Sequence, residues 1–265
     1  LNPGRGNPAS DPGVRRHTLP GRTCPEDGNT RPLAGPGDES GPVWSPDGSA
    51  LAFASSRKGR YDIYVKSITG SREEELVLAS DMNKYPMTWS RDGRYLFFVE
   101  ERRARRTDMA VISMTGERKR ELLLSTQFIE YPGELSPDGR WLAYGSAESG
   151  NFEIFVTSFP RAGRRWQVSP AGGAYPFWRS DGKEIVYQGI SGQITAVPVL
   201  SRGDTLEFGP PQELFKLTAP APGGAHFAPT ADHQKFLIVS GGDQQVSPLL
   251  ELVVNWQALI RRQRD

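Results

Sequence analysis

The sequence predicts an all-β fold, a β-propeller of about five four-stranded blades, on the basis of three observations. A short phrase ending in Asp-Gly recurs with spacings of 45, 46, 43 and 51 residues between its aspartates, and a period near 45 is typical of propeller blades. Each copy is followed by short apolar runs rich in β-branched and aromatic residues, which favour strands. The 29 glycines and 22 prolines lie between these runs and indicate many turns and few helices.

The repeated phrase has four clear copies and one degenerate copy. They are Trp44 to Gly48, Trp89 to Gly93, Leu135 to Gly139, Trp178 to Gly182 and Pro229 to His233. Glycine accepts a positive φ without steric cost, so Asp-Gly predicts a two-residue hairpin turn of the primed type. The aspartate is expected to accept hydrogen bonds from the backbone amides just beyond it. A structural role in the turn explains all five aspartates, Asp47, Asp92, Asp138, Asp181 and Asp232.

The apolar runs after each Asp-Gly predict the remaining strands of a blade. In the second copy they are Leu96 to Val99, Asp108 to Val111 and Leu122 to Leu124. Together with the strand that carries the tryptophan, they make four strands, as in a propeller blade. A helical repeat would need apolar positions at i, i+3 and i+4 over about ten residues or more. Only Trp256 to Arg264 fits that pattern.

The chain divides into three parts. Residues 1–29 have no apolar periodicity and are predicted to be disordered or a linker. Residues 30–256 form the propeller, with blades starting near 43, 86, 132, 176 and 227, and residues 257–265 form a short tail. If Thr30 to Leu33 pairs with the last blade, two sheet edges disappear and a five-bladed ring closes. A fragment of a six- or seven-bladed ring is the alternative.

Composition excludes several classes of site. The net charge of +1 lacks the basic footprint of a dedicated nucleic-acid binder. One cysteine, Cys24, and three histidines, His17, His226 and His233, give no basis for a disulfide, a thiolate zinc site or a histidine-rich metal centre. No cofactor and no metal are expected. The apolar runs are too short for a transmembrane helix, and residues 1–30 lack the apolar core of a signal peptide. We expect the chain to be a monomer.

The phrase Trp-Ser-Pro-Asp-Gly followed by Leu-Ala-Phe, in residues 44–53, resembles the PD40 repeat, the WD40-like propeller unit of TolB and its relatives. The order of motifs from Asp138 to Trp256 is similar to the carboxyl-terminal propeller of some bacterial serine/threonine protein kinases and winged-helix regulators. The resemblance implies a sensor or interaction module in an extracytoplasmic or periplasmic setting. His233 departs from it by replacing the glycine of the fifth copy. The chain has no kinase signature, so the resemblance carries no kinase activity.

No enzyme motif stands out in the sequence. A serine hydrolase needs a Gly-x-Ser-x-Gly elbow, which does not occur. We therefore predict a non-catalytic scaffold that binds a protein, a peptide or a small polar ligand. The alternative is a propeller enzyme, glycosidase or lactonase-like, with a polar site at the central channel. Such an enzyme would show convergent Asp, Glu and His side chains over one mouth of that channel.

Three Tyr-Pro pairs are the first candidate binding feature. Tyr85, Tyr131 and Tyr175 each stand just before the predicted innermost strand of a blade. Radial repetition would place them around one mouth of the channel as an aromatic collar, suited to a peptide or small polar ligand. Further members of the candidate collar are Lys84, Glu130 and His226. The alternative is that Tyr-Pro packs the joint between blades.

A basic run is the second candidate. Arg102 to Arg106 holds four arginines, and Arg118 to Arg120 adds three basic residues. Such a run attracts an acidic partner or forms a solvated loop, which is its commoner role.

Overall fold

The computed structural model describes residues 37–68, 74–102, 107–217, 227–240 and 249–254. These residues form twenty strands and no helix, arranged as five antiparallel sheets in chain order. The all-β propeller prediction is confirmed. No helix among the described residues is long and apolar enough to cross a membrane. The predicted closing strand at Thr30 to Leu33 and the helical pattern at Trp256 to Arg264 lie outside the described residues.

Blades 1 to 3 are four-stranded meanders. Blade 1 comprises β1 (Glu39–Trp44), β2 (Ala50–Ser55), β3 (Asp62–Ser67) and β4 (Glu74–Leu78). Blade 2 comprises β5 (Asn83–Trp89), β6 (Tyr95–Glu101), β7 (Thr107–Ser113) and β8 (Arg120–Leu124). Blade 3 comprises β9 (Glu130–Leu135), β10 (Trp141–Ser146), β11 (Glu153–Ser158) and β12 (Arg165–Gln167). The first strands of successive blades contact one another and are therefore innermost. β1 contacts β5, β5 contacts β9, and β9 contacts the first strand of blade 4, β13 (Ala174–Trp178).

Blade 4 carries an extra hairpin. It comprises β13 (Ala174–Trp178), β14 (Glu184–Gln188), β15 (Gln193–Arg202), β16 (Thr205–Phe208) and β17 (Gln212–Lys216). The first half of β15 pairs with β14 and β17, and its second half pairs with β16. Val199 and Leu206 of the hairpin are buried against blade 3, and the Arg140 guanidinium of blade 3 lies 3.0 Å from Asp204 at the hairpin tip. This insertion accounts for the spacing of 51 residues between Asp181 and Asp232.

Blade 5 shows three described strands. They are β18 (Phe227–Pro229), β19 (Lys235–Ser240) and β20 (Leu249–Val254). Phe227 and Phe236 pack with residues of blade 4 in one apolar cluster.

The blades pack through alternating residues of their strands. In blade 3, Tyr144 faces blade 2 and belongs to a cluster with Phe97 and Met109. Its neighbour Ala143 faces blade 4 and belongs to a cluster with Trp178 and Tyr187. Successive strand residues point to opposite faces of a sheet, so both faces of an inner blade are apolar and buried. This explains why the strands read as continuous apolar runs instead of alternating ones.

The Asp-Gly turn is longer than predicted. The Ser45 amide donates to the Ala50 carbonyl at 2.9 Å, and the Gly48 amide donates to the Ser45 carbonyl at 2.9 Å. Residues 46–49 therefore make a four-residue loop built on a β-turn, and the prediction of a two-residue primed turn is wrong. The glycine does take a positive φ, 72° at Gly48. His233 adopts 56° at the equivalent position.

The aspartate caps this loop. Asp47 Oδ1 accepts hydrogen bonds from the Ser45 hydroxyl at 2.6 Å and the Ser49 amide at 3.0 Å. In each of the other four copies, the aspartate Oδ1 likewise accepts a hydrogen bond from the amide two residues further along the chain. The bond from the Ser45 hydroxyl, followed by those from Ser49, lowers the pKa of Asp47 to about 2, because hydrogen bonds to the charged form favour it.

Replacing Asp47 by alanine is expected to destabilise the chain at neutral pH but not in strong acid. The folded pKa lies below the ordinary value of 3.8, so the carboxylate stabilises the fold above that value and loses this contribution as the pH falls toward 2. Chemical denaturation of the two proteins across this range measures the difference in free energy of unfolding. A difference that stays constant down to pH 2 would contradict the role of the charged form.

Candidate binding site at one end of the ring

The two ends of the ring carry different residues. In each meander the innermost strand begins at one end, together with the loop between the second and third strands. We call this the tyrosine end. The innermost strand finishes at the Asp-Gly turn, and we call that the Asp-Gly end. The start of an innermost strand also contacts the corresponding loop of the preceding blade. The Lys84 amide at the start of β5 donates a hydrogen bond to the carbonyl of Tyr61, in the β2–β3 loop of blade 1, at 2.8 Å.

The three Tyr-Pro pairs lie inside the innermost strands. Tyr85 is the third residue of β5, and Tyr131 and Tyr175 are the second residues of β9 and β13. The prediction placed them just before these strands, which in fact begin at 83, 130 and 174. The innermost strands begin earlier than predicted because Asn83, Glu130 and Ala174 already pair with the second strand of their blades.

The prolines of two pairs pack the joints between blades. A Cβ added at Gly133 of β9 would lie 2.4 Å from Pro176 Cγ of the next blade, and one at Gly41 of β1 would lie 3.1 Å from the Pro86 carbonyl oxygen. The first four innermost strands each have a register irregularity near this point. Bulges redirect side chains and are common next to functional sites. The packing interpretation of Tyr-Pro therefore holds for these two prolines.

The tyrosine rings are partly accessible at the tyrosine end. The Tyr85 ring lies 5.2 Å from that of Tyr61, and the Tyr131 ring lies 5.7 Å from that of Phe152. Tyr61 and Phe152 belong to loops between second and third strands, and sequence reasoning missed both. Tyr175 is 38% exposed and has a φ of 57°. His226, the fourth ring of the predicted collar, lies outside the described residues.

An exposed aliphatic residue lies against the segment that leads into β13. Ile190, in the loop between β14 and β15, is 67% exposed. Its Cγ2 lies 2.6 Å from where a Cβ on Gly172 would be, so Ile190 covers the segment that leads into β13. No repeat or motif in the sequence marks Ile190. Tyr175 and Ile190 are both exposed, and both belong to segments at the tyrosine end of blade 4.

Lys84 and Glu130 are not surface charges beside the collar, contrary to prediction. The Lys84 side chain is fully buried and its Nζ lies 3.0 Å from Asp62 Oδ1 of blade 1. Glu130 is 1% exposed, and its Oε1 accepts a hydrogen bond from the Thr126 hydroxyl at 3.0 Å. Both belong to the joints between blades, because the start of each innermost strand is covered by the preceding blade.

Replacing Glu130 by glutamine is expected to stabilise the chain at neutral pH. Burial, opposed by the bond from Thr126 and reinforced by Glu148, raises the pKa of Glu130 above its usual 4.5. The folded state then binds its proton more tightly than the unfolded state, so stability falls as the pH rises above 4.5. Denaturation at pH 7 and at pH 4 should show the variant more stable only at pH 7. An unchanged or lower stability at pH 7 would contradict this cost of burial.

The arginines of the basic segments that the structure describes are paired with carboxylates. Arg102 lies 2.6 Å from Asp108, Arg118 lies 2.8 Å from Glu75, and Arg120 pairs with Glu100. Arg103 to Arg106 lie outside the described residues. These ion pairs favour the solvated-loop interpretation over a site for an acidic partner.

The Asp-Gly end holds a polar cluster that sequence reasoning missed. Arg91, at the repeat position where blades 1 and 3 have proline, lies 2.8 Å from Glu134 of blade 3 and donates to the Trp178 carbonyl of blade 4 at 2.7 Å. Glu134 Oε2 accepts a hydrogen bond from the Trp178 amide at 2.7 Å. Burial, opposed mainly by Arg91, raises the pKa of Glu134. The cluster ties three blades together.

His233 extends this cluster toward blade 5. Its Nδ1 lies 2.9 Å from Glu184 Oε1, and Arg179 donates to Glu184 Oε2 at 3.0 Å. A cavity of about 260 Å³ lies between Arg91, Glu134 and His233. The replacement of glycine by histidine in the fifth repeat was the one sequence signal for this arrangement. No group of three or more His, Cys, Asp and Glu residues within the described ranges is placed to hold a metal ion.

The fold and the repeat define a TolB-like, WD40-like β-propeller. No family model matches the chain. TolB from Acinetobacter baumannii is similar over 82% of this chain and 52% of its own, with 15% identity and a TM-score of 0.61. A putative TolB from Agrobacterium tumefaciens is similar over 84% of this chain and 79% of its own, with 20% identity and a TM-score of 0.61.

Enzymes share the fold as well. A periplasmic gluconolactonase of Pseudomonas aeruginosa is similar over 86% of this chain and 76% of its own, with 15% identity and a TM-score of 0.53. At such identities the similarity establishes the propeller scaffold alone. The match spans about half the length of the Acinetobacter TolB.

Proposed function

We propose that this chain is a non-catalytic binding module that takes a protein or peptide partner at the tyrosine end. In this proposal it is the sensor or interaction part of a larger bacterial signalling or envelope protein. The observation that carries the proposal is the exposure of Tyr175 and Ile190 at the end of the ring that also holds the ring pairs at the starts of β5 and β9. Its resemblance to the propellers of bacterial kinases and regulators supports the sensor role.

The chemistry of this surface suits a peptide. Tyrosine offers a large apolar ring with one polar end, and such residues are enriched at the energetic centres of interfaces. The rings are held by packed strands, so little conformational entropy is lost when a partner binds. Lys84 and Asp62 nearby are paired inside a joint, so the exposed rings contribute to affinity mainly through apolar contact.

Peptides selected from a random display library against the intact chain would test the proposal. We expect Tyr175→Ala and Ile190→Ala each to weaken a selected peptide by about tenfold, which corresponds to about 1.4 kcal/mol. The melting temperature should be nearly unchanged, because both side chains are exposed. Leu122→Ala is the matched control, since Leu122 is 46% exposed on the outermost strand β8. Equal weakening by all three variants would contradict a site at the tyrosine end.

A second candidate function is favoured by one observation at the Asp-Gly end. Glu134 and His233 meet at the same cavity, and the pKa of Glu134 is raised by burial, as in many acid–base sites. In this alternative the chain is a lactonase-like or glycosidase-like hydrolase. Hydrolysis of lactones or aryl glycosides that Glu134→Gln reduces about a hundredfold would establish it. Hydrolysis that survives this substitution would exclude Glu134 as its acid or base.

A further inference from the structure

The starts of the innermost strands carry charges that are balanced inside the fold, with one exception. Arg57 pairs with Glu39 of β1 at 3.2 Å, and Asp62 pairs with Lys84 of β5 at 3.0 Å. Glu130 begins β9 and forms no ion pair among the described residues. Its Oε2 is buried and has no hydrogen-bond partner there. An unpartnered buried carboxylate oxygen is costly in free energy.

The repeat explains why the countercharge is missing. Asp62 lies opposite Ser55 in the β2–β3 register, and its counterpart in blade 2 is Asp108, opposite Glu100 in the β6–β7 register. Glu130, directly before Tyr131, stands where blade 2 has Lys84. Thr107 is neutral, and its hydroxyl bonds the Glu130 backbone, receiving from the amide at 3.2 Å and donating to the carbonyl at 3.1 Å. The joint between blades 2 and 3 therefore has two acids, Asp108 and Glu130, where the preceding joint has an acid and a lysine. Asp108 Oδ2 pairs with Arg102, but its Oδ1 is buried without a hydrogen-bond partner among the described residues.

Further acceptors face the same space. Ser146 lies directly opposite Glu130 in the β9–β10 register, and its hydroxyl is fully buried without a partner among the described residues. Tyr144, two residues earlier on the same face, has a buried hydroxyl close to Arg165. The Arg165 charge also acts on Glu130, but its Nη1 is bound to Glu148 at 2.6 Å. The surroundings of Glu130 are thus rich in oxygen atoms.

We propose that the Glu130 carboxylate and the Ser146 hydroxyl bind a primary ammonium group supplied by a ligand. An ammonium has three donors and no acceptor, so it matches a carboxylate and a hydroxyl that both lack partners. The molecule contains the same arrangement one joint earlier, where Lys84 Nζ lies against Asp62 and donates to the Met82 carbonyl. The proposal rests on the proposed function, since a lysine or amino terminus of the peptide would supply this group.

The rim of the site suits a cation. Tyr131 follows Glu130 in β9, and its ring stacks on Phe152 at 5.7 Å. Aromatic faces attract cations, so these rings would guide an ammonium to the buried carboxylate. The charge-assisted hydrogen bond to Glu130 then supplies most of the specificity.

Methylammonium is the first probe. We expect methylammonium chloride to raise the melting temperature of the native chain more than sodium chloride does at equal ionic strength. In Glu130→Gln its apparent Kd should rise about tenfold, which corresponds to about 1.4 kcal/mol, because the charged hydrogen bond to the carboxylate is lost. Glu153→Gln is the control, because Glu153 lies at the same end of blade 3 and its carboxylate already pairs with Gln167. The proposal would be overturned if sodium and methylammonium raised the melting temperature equally, or if Glu130→Gln and Glu153→Gln lost the same affinity for methylammonium.

Peptides distinguish the source of the ammonium. A selected peptide with a lysine should bind the native chain about tenfold more tightly than the same peptide with acetyl-lysine, and Glu130→Gln should remove that preference. A methylammonium effect without any lysine preference would identify free amines as the ligand. If neither probe depends on Glu130 while peptides still require Tyr175 and Ile190, the ammonium site is wrong and the proposed function stands. If methylammonium binding depends on Glu130 but no peptide binds, the ammonium site stands and the proposed peptide-binding function is wrong.

Discussion

Replacing Lys84 by methionine is expected to lower the free energy of unfolding by about 3–5 kcal/mol. The substitution keeps the length of the side chain but removes the charge that lies 3.0 Å from Asp62. Lys84 is fully buried and Asp62 nearly so, so the Asp62 carboxylate would remain in the joint between blades 1 and 2 without a countercharge. Urea denaturation monitored by tryptophan fluorescence measures the loss.

A double substitution separates the ion pair from simple packing. Lys84→Met with Asp62→Leu replaces both charges by apolar groups, and such replacements of buried ion pairs are often neutral or stabilising. We expect the double variant to recover most of the stability that Lys84→Met loses. A double variant that is as unstable as the sum of the single variants would show that the lysine acts through its shape and not its charge.

Replacing Gly133 by alanine is expected to cost about 1–3 kcal/mol, the usual range for overpacking a rigid site. The new Cβ would lie 2.4 Å from Pro176 Cγ and 2.9 Å from the Ala143 carbonyl oxygen. The second atom belongs to the backbone of β10 and cannot turn away. The joint between blades 3 and 4 must therefore open slightly, which a lower midpoint in urea would report.

Gly145→Ala is the matched control for this prediction. Gly145 lies in the same blade, has no positive φ, and a Cβ there would meet Phe152 Cδ1 at an ordinary 3.8 Å. We expect it to be tolerated much better than Gly133→Ala. If the two variants lose the same stability, glycine content and not the close approach of Pro176 sets the cost.

The propeller could be predicted from the sequence because each blade repeats the same local chemistry. Asp-Gly turns and apolar runs are short-range signals, and β6 (Tyr95–Glu101) contains the predicted run Leu96 to Val99. The bounds of the innermost strands could not be predicted as well. Their first residues pair with neighbouring strands without being apolar, as at Asn83 and Glu130.

The candidate site was predicted less completely. The tyrosines were found because Tyr-Pro repeats with the period of the blades. Ile190 and Phe152 lie in loops of unequal sequence, so no repeat marked them. Lys84 and Glu130 were expected in solvent, because sequence periodicity does not show which end of a strand the preceding blade covers. Arg91 and Glu134 contact each other across 43 residues, a distance that no local pattern reveals.

Arg91 changes how unfolding spreads through the ring. In a protein built of repeats, each unit ordinarily touches only its neighbours, and cooperativity passes stepwise from one to the next. Arg91 of blade 2 reaches the Trp178 carbonyl of blade 4, and Glu134 of blade 3 bonds both. We therefore expect blades 2, 3 and 4 to share one opening event, in which their slowest amide hydrogens exchange with solvent as a single group.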